Sequence, residues 1–102
     1  AFFETFVITE ILKSWRHNGL EPDFYYYRDA KKQTEIDLII HRKGLYHPIE
    51  IKMTSHPKID MIKHFSELSS MGVSVGMGAV ICNSEIQRFL TDNVVAHSIW
   101  QI

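Results

Sequence analysis

TEIDLIIHRKGLYHPIEIKM, residues 34–53, is the stretch that decides the fold, because it predicts a β-hairpin whose two faces differ. Residues 34–41 and 45–53 are both rich in strand-forming side chains, and Arg42-Lys43-Gly44 between them is a turn signal. We expect the reversal to be centred between the lysine and the glycine of this turn. The lysine then needs positive φ, which is unusual for that residue in a two-residue loop.

This register separates apolar from polar side chains. One face of the hairpin is almost wholly apolar and carries Ile36, Leu38, Ile40, His47, Ile49 and Ile51. The other face places Glu35 opposite Lys52, Asp37 opposite Glu50, and Ile39 opposite Pro48. A slip by one residue would mix the two sets, because successive side chains of a strand point to opposite faces. The hydrophobic pattern therefore favours this register.

The polar face contains a carboxylate pair that needs an explanation. Asp37 and Glu50, directly opposed, would have Cβ atoms roughly 5 Å apart, where like charges destabilise a sheet. A divalent cation would remove the repulsion, since Mg²⁺ is commonly held by one or two carboxylates. Lys52 projects from the same face and brings a positive charge beside the metal position. The alternative is a solvated sheet face on which Glu35 and Lys52 form a surface ion pair.

Two amphipathic helices are predicted, one before the hairpin and one after it. The first runs from Ala1 to about Asn18, stops at Gly19, and has an apolar stripe formed by Phe3, Val7, Ile11 and Trp15. The second runs from about Pro57 to Ser70, with Lys58, Lys63 and His64 on or near its outer face.

Further strands are predicted before and after these elements. They cover Phe24 to Arg28, Gly72 to Asn83 with a bulge or kink at Gly76 or Gly78, and Val94 to Trp100, while Ser84 to Leu90 is predicted as a short helix or turn. The resulting order is helix–strand–strand–strand–helix–strand, with the last short strand extending the sheet. We therefore expect one α/β domain over residues 1–102, with a central mixed sheet and a helix on each face.

The chain resembles a known family along its whole length. The segments that carry the resemblance are AFFETFV (1–7), TEILK (9–13), YRD (27–29), EIDLII (35–40), YHPIEIK (46–52), TDNV (91–94) and IWQI (99–102). They look like the uncharacterised C-terminal domain of a large group of bacterial and archaeal AAA-type ATPases, which is itself regarded as similar to the PD-(D/E)XK nucleases. The chain also begins within an amphipathic pattern and without methionine, so we expect it to be the C-terminal part of a longer ATPase.

The resemblance implies a PD-(D/E)XK core and a metal-dependent nuclease activity on DNA. Asp37 and Glu50 would bind Mg²⁺ or Mn²⁺ together with the carbonyl of Ile51. In active members of the superfamily an acid of the first helix often joins the metal site, and Glu10 is the expected residue, with Glu4 as the alternative. Lys52 would position the attacking water or stabilise the transition state, which makes Asp37, Glu50 and Lys52 the expected catalytic residues.

Composition restricts the function only weakly. The formal net charge of −1 gives no overall attraction for nucleic acid, so any DNA contact must come from local patches. No apolar run of about 18 residues could span a membrane, and no signal peptide is evident. The one cysteine, Cys82, lies in an apolar run and indicates a buried thiol in a reducing compartment. We therefore expect a cytoplasmic protein.

Two other functions remain open at this level. In the first, the same fold binds nucleic acid or protein, or regulates the ATPase module, and the acids are vestigial. In the second, the domain is a structural dimerisation module, since the sequence does not exclude an exposed sheet edge or a homodimer.

Overall fold

The computed structural model describes residues 2–84 and 87–101, which form a six-stranded mixed sheet with two α-helices. In chain order the elements are α1 (Phe2–His17), β1 (Phe24–Asp29), β2 (Thr34–Arg42), β3 (Leu45–Ile51), a 3₁₀ turn (Ile59–Ile62), α2 (Ser66–Ser70), β4 (Gly78–Cys82), β5 (Arg88–Thr91), β6 (Val94–Ser98) and a second 3₁₀ turn (Ile99–Gln101). The strands lie in the order β1-β2-β3-β4-β6-β5. The predicted α/β class and mixed sheet are confirmed, whereas the predicted order of elements is wrong after β4.

The hairpin between β2 and β3 has the predicted register. Leu38 lies opposite Ile49 and Arg42 lies opposite Leu45. Lys43 and Gly44 between them have φ values of 52° and 81°, as a two-residue turn that matches the twist of the strands requires. The lysine thus adopts the unusual conformation that the register demands.

A β-bulge in β2 changes the predicted distribution of side chains. Tyr25 lies opposite Ile39 but Tyr27 lies opposite Ile36, so that Asp37 and Leu38 together stand opposite a single β1 residue. A bulge of this kind interrupts the alternation of side chains. Ile36 consequently packs with Ile39 and Leu68 rather than with Leu38, which corrects the predicted apolar face.

The core lies on both sides of the sheet. On the side of α1, Val7 and Ile11 pack against Leu38, Ile40, Ile49, Ile51, Ile81 and Ile99. On the other side, two adjoining clusters contain Ile36, Ile39 and Leu68, and Val80, Cys82 and Val94, with Phe65 packed against both. Cys82 is fully buried, as predicted.

The predicted second helix is two short pieces. Ile62, Phe65 and Leu68 cover the sheet, and their spacing of three residues suits a 3₁₀ turn better than an α-helix. The backbone follows this spacing, because the N–H of Phe65 donates to the carbonyl of Ile62 and the N–H of Leu68 donates to that of Phe65. The segment therefore packs on the sheet through these three side chains, while Lys58 and Lys63 are exposed as predicted.

The C-terminal strands also differ from the prediction. The strand expected over residues 72–83 begins only at Gly78, and Val75 forms an isolated bridge to Tyr46. Part of the expected helix or turn at residues 84–90 is strand β5, while residues 85 and 86 lie outside the described part. β6 ends at Ser98 and is inserted between β4 and β5, so the final strand does not extend the edge of the sheet.

Candidate functional site

Glu50 and Lys52 lie at the carboxyl end of β3, where this strand runs parallel to β4. Glu50 is opposite Val80 in the parallel pair, and the N–H of Lys52 donates to the carbonyl of Ile81. The side chain of Glu50 is only 13% exposed, whereas that of Lys52 is 51% exposed. Lys52 Nζ lies 3.8 Å from Glu50 Oε2. The sheet thus holds a largely buried carboxyl group beside a lysine that reaches solvent.

Asp37 reaches this position from the bulge in β2. The regular pairing of β2 with β3 extends to Leu38 and Ile49. Beyond that pair, Asp37 Oδ2 accepts a hydrogen bond from the N–H of Ile51 at 2.8 Å. The carboxylate therefore satisfies a backbone donor of β3 at the end of the regular ladder. One of its two oxygens is engaged in this structural bond.

The two carboxyl groups interact directly. Burial, followed by repulsion from Asp37 and a hydrogen bond to Asp37, raises the pKa of Glu50 to about 8. Lys52 opposes this shift and Glu35 adds to it. Glu50 therefore keeps its proton at neutral pH, beside the Asp37 carboxyl group to which it is hydrogen-bonded.

Helix α1 brings Glu4, rather than Glu10, close to Asp37 and Glu35. Burial and the nearby charges of Asp37 and Glu35 raise the pKa of Glu4 above its ordinary value. Glu10 lies about 9 Å farther along the helix axis. Its carboxylate is 3.7 Å from Lys13 Nζ, and it lines a separate cavity with Phe6 and Trp100 among others.

A cleft of about 540 Å³ opens beside Glu50 and Lys52. One wall comes from the β1–β2 region and includes Arg28 and Glu35, whose side chains lie 3.4 Å apart. The other wall comes from the segment between β3 and β4 and includes Lys63 and His64. The cleft thus combines acidic and basic side chains from three separated parts of the chain.

The second wall of the cleft is not evident from the sequence. The helix prediction puts Lys63 and His64 on or near the outer face of a continuous helix, whereas both line the cleft. The spacing of Ile62, Phe65 and Leu68 was the signal that could have indicated this arrangement. The regular ladder of β2 with β3 ends at Leu38 and Ile49 and does not reach Glu35 and Lys52, whose side chains form ion pairs with Arg28 and Glu50 respectively.

Two carboxyl groups, those of Asp37 and Glu50, are the candidate metal ligands. Within residues 2–84 and 87–101, no three or more His, Cys, Asp or Glu side chains are arranged as a ready metal-binding group. Asp37 and Glu50 are nevertheless adjacent, and two carboxylates completed by water are sufficient for Mg²⁺. The pair therefore fits this ion, and the role of the Ile51 carbonyl stays a prediction.

His41 belongs to a different cluster. Its Nδ1 lies 2.9 Å from Asp23 Oδ2, and its ring stacks on Tyr46 with the centroids 4.2 Å apart. The backbone N–H of His41 also donates to the backbone carbonyl of Asp23. These bonds fasten the start of β1 to β2, at the end of the hairpin away from Glu50.

One of three comparisons with known proteins gives a match for this chain. No helix in the described part of the chain is long and apolar enough to cross a membrane. No curated protein and no solved structure matches the sequence. A family model matches residues 1–102, and the chain therefore belongs to the DUF4143 family, described as a domain of unknown function.

Proposed function

We propose that this chain is a metal-dependent nuclease-like domain that hydrolyses DNA phosphodiester bonds and is joined to an ATPase module in its parent protein. The proposal rests on one observation: Asp37 is hydrogen-bonded to Glu50, and Glu50 and Lys52 line the cleft together. A buried acid pair next to an accessible lysine is the combination that PD-(D/E)XK enzymes use. The helix followed by three strands and a mixed sheet is consistent with a core of that kind.

The residues of the chain divide the chemistry between them. Asp37 and Glu50 would hold Mg²⁺ or Mn²⁺, with Glu4 better placed than Glu10 to assist them. The bound ion would polarise the phosphate and lower the pKa of water. Lys52, close to Glu50 and half exposed, would orient the attacking water or stabilise the added negative charge of the transition state. The hydrogen bond from Ile51 to Asp37 would keep that carboxylate in place.

A cleavage assay tests this proposal. We expect the chain to cleave labelled DNA with Mg²⁺ or Mn²⁺ and to be inactive in EDTA. Lys52→Ala should lower kcat by about 10²- to 10³-fold, because it removes one group that stabilises the transition state. Metal affinity measured by calorimetry should stay largely intact at a pH where Glu50 is ionised, because Lys52 is not one of the proposed metal ligands.

Lys58→Ala is the matched control, because Lys58 is exposed and does not line the cleft. Its activity should equal that of the wild type. Equal activity of Lys52→Ala and the wild type would contradict the assigned role of Lys52 and would place any cleavage elsewhere.

A non-catalytic function is the second candidate. It is favoured by the absence of a three-residue metal-binding group from the described residues and by the engagement of Asp37 Oδ2 with Ile51. In that case the domain would bind nucleic acid or protein, or regulate the ATPase module, with a vestigial site. Binding of DNA without cleavage in any divalent metal would support this function over the first.

A further inference from the structure

The cleft beside Glu50 is a concave surface that is partly open to solvent. Its volume of about 540 Å³ falls in the range of clefts that enclose small ligands, roughly 300 to 1,000 Å³. Its two walls come from the β1–β2 region and from the segment between β3 and β4, with Glu50 and Lys52 between them. A ligand that reaches Glu50 through this cleft therefore lies close to side chains of both walls.

The cationic side chains that line the cleft differ in whether a carboxylate already forms an ion pair with them. Arg28 lies 3.4 Å from a Glu35 oxygen, and Lys52 lies 3.8 Å from a Glu50 oxygen. Lys63 lines the opposite wall, and no carboxylate of the described residues forms an ion pair with it. It is thus the lysine of the cleft whose charge is available to a ligand.

His64 is oriented by the neighbouring wall. Its Nδ1 lies 3.3 Å from the carbonyl oxygen of Glu35 and 3.4 Å from the Glu35 backbone nitrogen. This contact leaves Nε2 as the ring atom without a bond to the described protein. The wall formed by the segment between β3 and β4 therefore carries both the ammonium group of Lys63 and the imidazole ring of His64.

The charge of the whole chain restricts what this wall can bind. A net charge of −1, with Asp29, Glu35, Glu50 and Asp60 also lining the cleft, disfavours a ligand that needs many phosphates neutralised. Duplex DNA presents about one charge per 1.7 Å of its axis, which demands such an array of cations. A single strand that enters the cleft needs only a few phosphate contacts.

We propose that the cleft receives single-stranded nucleic acid and that Lys63, assisted by His64, binds a phosphate of the strand opposite Lys52. This inference rests on the proposed function, since it names the substrate class of the same site. It assigns Lys63 and His64 as positioning residues and leaves the chemical step to Asp37, Glu50 and Lys52.

Fluorescence anisotropy in EDTA tests the inference without cleavage. The probes are a labelled single-stranded oligodeoxynucleotide and a hairpin duplex of the same sequence, each titrated with the 102-residue chain at several salt concentrations. We expect the single strand to bind more tightly. Lys63→Ala should weaken its binding severalfold and reduce the slope of log K against log salt by about 0.7, the contribution of one single-strand phosphate.

Two further variants serve as controls, and the melting temperature of each protein confirms that it is folded. Lys58→Ala should retain the wild-type slope, and Lys63→Arg should retain most of it because the charge is kept. Tighter binding of the duplex, or equal slopes for Lys63→Ala and Lys58→Ala, would overturn this inference while leaving the proposed nuclease activity standing. A wild-type chain that neither binds nor cleaves DNA would overturn both.

Discussion

Glu50 is the residue at which the metal-free fold favours the protonated carboxyl group, whereas metal binding needs the ionised one. Its side chain is largely buried and lies beside Asp37. Burial and the neighbouring carboxyl group together raise the pKa of Glu50 to about 8. A carboxyl group with this pKa keeps its proton in the folded state at a pH where the unfolded chain has lost it. Between about pH 4.5, the ordinary pKa, and about pH 8, the folded metal-free domain therefore holds a proton that the unfolded chain has lost, and its stability is higher at the acidic end of this range.

The stability of the metal-free domain should consequently fall as pH rises through this range. We expect a loss of at least about 1 kcal/mol between about pH 5 and pH 8, which corresponds to roughly 4 to 8 °C in Tm for a domain of this size. Glu50→Gln should abolish most of this loss and melt higher than the wild type at pH 8. Thermal melts in EDTA at several pH values measure both effects.

Glu21→Gln is the control for this experiment, because Glu21 is exposed and lies in the connection between α1 and β1. It should leave the pH dependence unchanged. A Glu50→Gln variant with the same decline in Tm as the wild type would show that another group is responsible.

At the scale of the elements, the approach to β4 depends on a close contact between a glycine and a histidine. The N–H of Gly76 donates to the carbonyl of Tyr46, which brings the segment against β3. A Cβ atom at Gly76 would lie only 2.8 Å from His47 Nδ1, and that nitrogen is itself bonded to the carbonyl of Met77. The ring cannot move away without losing this bond.

Gly76→Ala should therefore destabilise the domain by about 1 to 3 kcal/mol, as expected for overpacking. The cost should be smaller by about 1 kcal/mol in a His47→Ala background, where the ring that obstructs the methyl group is absent. Urea denaturation of the four proteins of this double-mutant cycle gives the coupling. Additive effects of the two substitutions would mean that the ring does not cause the destabilisation.

At the scale of the whole molecule, a cation should convert the acid pair from a destabilising feature into a stabilising one. An ion that binds only the folded state adds about 2.7 kcal/mol at a hundredfold excess over Kd. We expect Mn²⁺ at that excess to raise Tm by roughly 10 to 20 °C. Asp37→Asn should lose this rise, because it removes one of the two carboxylates.

In EDTA at about pH 9, above the pKa of Glu50, the same variant should melt higher than the wild type. The amide oxygen can still accept the hydrogen bond from Ile51, while the repulsion of Glu50 is gone. An unchanged wild-type Tm in Mn²⁺ would show that the acids do not bind metal, and the non-catalytic function would then be preferred.

The sequence by itself determined the features that depend on neighbouring residues. The turn at Lys43 and Gly44 follows from the lengths and compositions of the two runs beside it, and it aligns Leu38 with Ile49. Helix α1 and its end near Gly19, which has φ of 72°, follow from apolar spacing and the conformational freedom of glycine. These are local effects, and local pattern was sufficient to predict them.

Only the tertiary structure decided what depends on distant contacts. The bulge at Asp37 arises in the pairing of β2 with β1, and it moves Ile36 to the opposite side of the sheet. The choice of Glu4 over Glu10 depends on where α1 crosses the sheet, because both acids are compatible with the same helical pattern. Lys63 and His64 join the cleft because Phe65 and Leu68 pack on the sheet with a three-residue period. Each outcome is fixed by the burial of apolar surface between segments far apart in the chain, which no single stretch of sequence specifies.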